Sequence, residues 1–188
     1  MLSPELVILL LFVLIAVGLY MAYASVISKR NNLLEAKSGI DVQFKKRYDL
    51  IPNILSVAKR FMAHEEEIFT KITELRTSAI NSKSGSNESI KLNSELDSLV
   101  SKLMVSVENY PELKSDATMV QAMKTYNEVE EHISAARRFY NSAVKELQNA
   151  VMIFPTSLFK NYAADVMDAD YYECSQVERQ AINAQDYL

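Results

Sequence analysis

Residues 4–30 read PELVILLLFVLIAVGLYMAYASVISKR, and from Leu6 to Ile27 this run carries no charge. As a helix its 22 residues extend roughly 33 Å, against a hydrocarbon core of about 30 Å. A remainder of this size has too little material to wrap such a helix on every side, so the run is read as one membrane span. Its start is written locally. Ser3 can cap the first free amides, Pro4 suits the first helical position, and Glu5 sits at the positive end of the helix dipole.

Lys29 and Arg30 follow the apolar run at once, whereas Glu5 is the only charged side chain before it. The positive-inside bias then puts the N-terminus outside and the bulk of the chain in the cytoplasm, at the cell (inner) membrane. Ala22-Tyr23-Ala24 resembles a signal-peptidase site, but the n-region lacks Lys or Arg and the apolar run is too long for a signal. Retention is expected.

Beyond the span the chain reads as all-α. The 188 residues hold only 3 Gly and 4 Pro, which leaves little for the turns of a sheet fold. Leu33, Ile40, Phe44, Tyr48 and Ile51 keep helical spacing, and Ile54, Ala58, Phe61, Ile68, Ile72, Leu75 and Ala79 resume it after Pro52. The proline predicts a kink in one continuous rod. Asn81–Asn87, rich in Ser with Gly85, predicts the first reversal. Leu92, Leu96, Leu99, Leu103 and Val107 predict a second helix ending at Tyr110-Pro111. Met119, Met123, Tyr126, Ile133, Tyr140, Val144, Leu147, Val151 and Phe154 predict a third, capped by Ser115 or Asp116 and stopped by Pro155.

The expected architecture is therefore a transmembrane helix followed by an antiparallel bundle of three long helices plus a shorter C-terminal helix. Its boundaries fall at 1–28 for the anchor, 29–160 for the bundle with its stalk, and 161–188 for an acidic tail in which a short helix is expected. Charge is uneven along it. Lys29 to Arg60 holds eight basic and three acidic residues, and Asp165 to Leu188 holds one basic and six acidic. A net charge of −4 gives no footprint for nucleic acid.

Inside the bundle, Glu130 and Arg137 occupy the face that carries Ile133 and Tyr140. An unpaired ion there is costly, so a structural polar network is expected, with Asp49, Asn53, His64, Glu65 and Asn141 as its other members. No catalytic, cofactor or metal residue is assigned. A di-metal helical site needs two Glu-x-x-His pairs, and Val129 and Phe61 stand where their carboxylates would be. The glycines do not cluster as a phosphate loop, and the lone Cys174 sits beside Glu173, where the thiolate is suppressed.

Several segments together resemble the LemA family of bacterial membrane-anchored proteins. They are the N-terminal span, Asp41-Val42-Gln43-Phe44-Lys45-Lys46-Arg47-Tyr48-Asp49-Leu50-Ile51-Pro52-Asn53, Ala63-His64-Glu65, and Tyr110-Pro111-Glu112-Leu113-Lys114. Glu130, Ile133, Ala136, Arg137, Tyr140 and Asn141 continue the likeness, which closes on Phe154-Pro155-Thr156. The tail departs from the family's Gly-rich pattern, having no Gly or Pro from Lys160 to Asp170. The resemblance implies a cytoplasmic helical bundle on a single span, and brings no catalytic site with it.

The functional expectation is a non-catalytic interaction or scaffold protein, bound to lipid through its span and to a membrane protein, a cytoplasmic protein or a second copy through exposed helix faces. Met62, Met104, Met119 and Met123 offer adaptable contact area for this, although Met in a bundle is more often core filler. The alternative is a membrane organiser whose basic stalk engages anionic lipid while the chain self-associates. A metal-dependent enzyme built on Glu130, Arg137 and His64 is the third and weakest option.

Overall fold

A computed structural model of the chain describes residues 3–172. They form α1 (Pro4–Ala58), α2 (Glu66–Asn81), α3 (Asn87–Val107), the short α4 (Pro111–Ser115), α5 (Ala117–Met152) and a 3-10 helix (Thr156–Val166). No strand occurs among the described residues. The chain divides into two compact units, Met1–Asp41 with Ala135–Ala169, and Val42–Ser134 with Asp170–Leu188. Both α1 and α5 contribute to each.

In the first unit, α1 has no break at Gly39 and is exposed from Pro4 to Met21. Its most apolar 18-residue window is only 6% buried, so this segment is not the core helix of a water-soluble unit. It is long and apolar enough to cross a membrane. Packing begins at Ala22 and Val26, which lie at 4% and 0% exposure. Leu33, Ala36 and Ile40 continue the buried stripe, joined by Tyr140, Val144 and Leu147 of α5 and Ala163 of the 3-10 helix. Two ion pairs tie these elements. Lys29 Nζ meets Glu146 Oε2 at 2.7 Å, and the Arg30 guanidinium grips both Asp165 oxygens at 2.8 and 2.6 Å. That grip raises the Arg30 pKa and holds the Asp165 carboxylate below its ordinary range.

The second unit gathers the end of α1, all of α2, α3 and α4, and the start of α5. Phe44, Ile51, Ile54 and Ala58 from α1 meet Ile72 of α2, Leu96 and Leu103 of α3, Leu113 of α4, and Met119 and Ile133 of α5 in its core. Burying each large side chain contributes about 1.5–3 kcal/mol. The caps follow the sequence. The Ser86 hydroxyl accepts from the Ser89 amide at the start of α3, and Asp116 Oδ1 accepts from the Met119 amide at the start of α5. Between α2 and α3, Gly85 adopts a positive φ of 72°, which a side chain would strain.

The expected continuous rod from Leu33 to Ala79 is corrected. The helix passes through Pro52, whose ring faces solvent, and ends at Ala58. Its last turn tightens into i to i+3 bonds from Arg60 to Val57 and from Phe61 to Ala58, and Met62 turns inward to complete burial. Tyr48 lies ten residues before the end of α1 and Arg76 ten residues into α2, yet Arg76 Nε donates to the Tyr48 carbonyl at 2.6 Å. The chain has therefore reversed at 59–65. Tyr48 is the residue whose carbonyl loses its helical donor because Pro52 has no N–H, and Arg76 supplies that donor from outside.

Three smaller differences follow. The shorter final helix is a 3-10 helix, and α5 stops at Met152, which leaves Phe154 75% exposed. The buried face of α3 runs Ser89, Asn93, Leu96, Val100, Leu103 and Val107, so Leu92 and Leu99 lie at its margin. Met62 and Met119 are core residues at 0% exposure and offer no contact surface. Cys174 and the acidic tail beyond Tyr172 lie outside the described residues.

Candidate functional site

The second unit is organised around a charge that the hydropathy pattern hides. Phe44, Arg47, Ile51, Ile54 and Ala58 alternate in steps of three and four along α1, so Arg47 projects from the same stripe as the core residues. Its side chain is at 0% exposure. The guanidinium forms an ion pair with Asp97 of α3, reaches Glu130 Oε1 of α5 at 3.3 Å, and donates to Asn93 Oδ1 of α3. Three helices are thus held by one planar fork of donors.

Neighbouring groups complete the cluster. The Tyr48 hydroxyl donates to Asn93 Oδ1 at 2.7 Å, and Asn93 Nδ2 donates to the Ser89 carbonyl at 2.9 Å. The guanidinium carbon lies 5.1 Å from the Phe44 ring centre and 5.8 Å from that of Tyr48. The two rings stack at 6.3 Å, and Tyr172 closes over Phe44 at 5.9 Å. Cation and aromatic faces attract each other most strongly where water is excluded. Asp97 and Glu130 keep 22% and 29% exposure, so the excess negative charge of two carboxylates on one cation reaches solvent.

This arrangement bonds helices rather than a ligand. Arg47, Asp97, Asn93, Tyr48 and Glu130 face one another across three helices. An open groove of about 500 Å³ lies between α2 and α3, with Leu75 and Leu99 beside Lys71, Glu74 and Glu95, and none of the cluster residues lines it. On its rim Lys71 Nζ bonds Glu67 Oε1 at 2.5 Å, which lowers the Glu67 pKa and raises that of Lys71. No group of three His, Cys, Asp or Glu side chains that could hold a metal occurs among the described residues.

The seven polar residues singled out from the sequence differ in exposure. Glu130 joins the cluster above, and Glu65 is half-buried in the turn before α2. Asp49 is exposed and pairs with Lys45 at 2.9 Å along the same helix. Asn53 and His64 are exposed, whereas Arg137 and Asn141 are half-buried in the first unit. Sequence reasoning misses Arg47, Asn93 and Asp97 because charged and amide residues interrupt an apolar stripe when hydropathy alone is followed. The signal is present in the three-and-four spacing, in which Arg47 and Asn93 both fall in phase with aliphatic neighbours.

Comparison with known proteins covers this region. The residues Phe44 to Pro52, which supply the buried cation, its aromatic neighbours and the carbonyl freed for Arg76, lie within a longer match. A protein named LemA from Metamycoplasma hominis is similar, at 23% identity over 177 residues covering 90% of this chain and 80% of that protein. The sequence model of the LemA family matches residues 36–185, from the middle of α1 through α5 and beyond the 3-10 helix. With most of its length matched, the chain belongs to the LemA family.

Proposed function

We propose that the chain is a membrane-tethered, non-catalytic platform that holds a helical unit against the inner leaflet and presents it to partner proteins. The observation that carries this reading is the inward closure of the Arg47 cluster, whose ionic and hydrogen-bonding groups bind helix to helix. The exposed apolar run of α1 supports the tether, and Lys29 and Arg30 directly after it support an orientation with the N-terminus outside. Packing in each unit supports an antiparallel bundle in which α1 and α5 are the long members.

Tethering restricts the helical unit to a thin layer under the bilayer and raises its effective concentration toward other membrane proteins, so weak contacts become occupied. The activity is localisation, not turnover. Proximity labelling tests it, with the labelling enzyme fused to the C-terminus of the full chain and, as a control, to an unrelated single span. The expected result is a reproducible set of neighbours that the control span does not label, retained when residues 4–21, the exposed part of α1, are exchanged for another apolar stretch of equal length. Labelling indistinguishable from that of the control span overturns the proposal.

A further inference from the structure

The first unit exposes a second apolar surface beside the span. Met152, Ile153 and Phe154, at the turn after α5, are 76%, 60% and 75% exposed, and Leu158 and Tyr162 of the 3-10 helix are 60% and 57% exposed. Isolated exposed apolar residues are ordinary, but five within eleven positions form a patch.

The ring and ion-pair contacts fix where on α1 this patch lies. Tyr23 meets the rings of Phe159 and Tyr162 edge-on at 5.7 and 5.1 Å, and Arg30 holds Asp165. Residues 159 and 162 are therefore level with Tyr23, and residue 165 is level with Arg30, roughly 10 Å further along α1. The 3-10 helix thus advances in the same direction as α1. The turn that precedes it lies at the level of Tyr23 or toward the exposed apolar run, away from Lys29 and Arg30.

From this register we infer that the segment Met152–Leu158, from the end of α5 into the 3-10 helix, and the outer face of that helix form an apolar collar embedded in the inner-leaflet interface around the emerging span. The occupant of the patch is the bilayer, because the patch continues the exposed apolar surface of α1 at Tyr20 and Met21. Pro4 to Met21 supplies roughly 27 Å of exposed helix, close to a hydrocarbon thickness. The six residues from Ala22 to Ile27 then occupy the headgroup layer, where Tyr20, Tyr23 and Tyr162 place amphipathic rings at the boundary. Apolar groups seated about 5–10 Å into that layer are the interfacial mode of binding. Lys160 lies between Leu158 and Tyr162 and carries its ammonium toward the phosphates. One end of the first unit is thereby anchored at two places, by the span and by the collar.

The inference rests on the tethering reading, and depth-dependent quenching separates the two. In a Cys174→Ser background of the full chain, single cysteines replace Leu14, Phe154, Leu158 and, as a control, Phe139, which is exposed on α5 about 20 Å before Met152. Each carries an environment-sensitive fluorophore in phospholipid vesicles that contain nitroxide lipids labelled near the headgroup or near the chain end. Expected are quenching at Leu14 by the deep nitroxide, quenching at Phe154 and Leu158 by the shallow one, and neither at Phe139. Quenching at Leu14 alone overturns the collar and leaves the tether intact, and its absence at Leu14 overturns both. Equal quenching at Phe139 and Phe154 means that α5 lies along the surface, which overturns a collar. A blue shift at Phe154 without lipid quenching assigns the patch to a second copy and overturns it as well.

Discussion

Replacing Arg47 with Met removes the only fully buried charge among the described residues while keeping a long apolar stem in contact with Phe44 and Tyr48. The loss falls on Asp97 and Glu130, which then face each other without their shared cation. Removing one partner of a buried ion pair costs about 3–5 kcal/mol. Here the carboxylates keep 22% and 29% exposure and are partly hydrated, and Asn93 Oδ1 keeps the Tyr48 hydroxyl. The expected cost is at the lower end, roughly 3 kcal/mol. In a chain of this size that corresponds to a fall in Tm of about 6–12 °C, read by far-ultraviolet circular dichroism of the detergent-solubilised chain. The decisive comparison is the triple variant Arg47→Met, Asp97→Leu and Glu130→Leu, which removes all three charges and should recover most of the loss, since a well-packed apolar set often equals a buried ionic one. A single variant within about 1 kcal/mol of the parent, or a triple variant no more stable than the single one, would refute the account of a cation holding three helices.

Arg76→Met removes the donor to the Tyr48 carbonyl and is expected to cost about 1.5–3 kcal/mol, whereas the same change in a Pro52→Ala background should cost clearly less, because alanine restores the helical N–H; equal costs in the two backgrounds would break the link. Leu103→Ala, at a position with 0% exposure, should lower stability by about 2–5 kcal/mol in denaturant titration. The Asp165 carboxylate has a folded pKa held below its unfolded value by Arg30, so its contribution is complete above the unfolded pKa and is lost as pH falls through the folded one. Amide exchange of 156–166, corrected for intrinsic rate, should therefore quicken on acidification in the parent chain and show no such step in Asp165→Asn. Val105→Glu on the exposed side of α3, 70% exposed, should shift Tm by no more than about 2 °C.

The helix ends show how much local chemistry can specify. Ser86, Asp116 and Gly85 act where their residue types predict, because caps and positive-φ turns depend on a few neighbouring atoms. The polar interior was less legible. Exposed Asp49 and buried Arg47 are two residues apart on α1, and only the phase of α1 against α3 and α5 separates them. The end of α1 at Ala58 was hidden for a related reason. Apolar spacing continues from Ile54 through Ile72, so periodicity alone describes a straight rod. The reversal is stabilised by burial of Met62 and by the Arg76 bond to Tyr48, contacts between residues distant along the chain.

By itself the sequence determined the helical class, the apolar run long enough to cross a bilayer, and the family likeness. Each depends on composition, spacing or short patterns that need no neighbour from elsewhere in the chain. Tertiary structure decided which charge is buried, where the first long helix ends, and where an apolar turn lies relative to the span. These depend on how separate helices meet, and a stripe on one helix does not state which residue of another will face it.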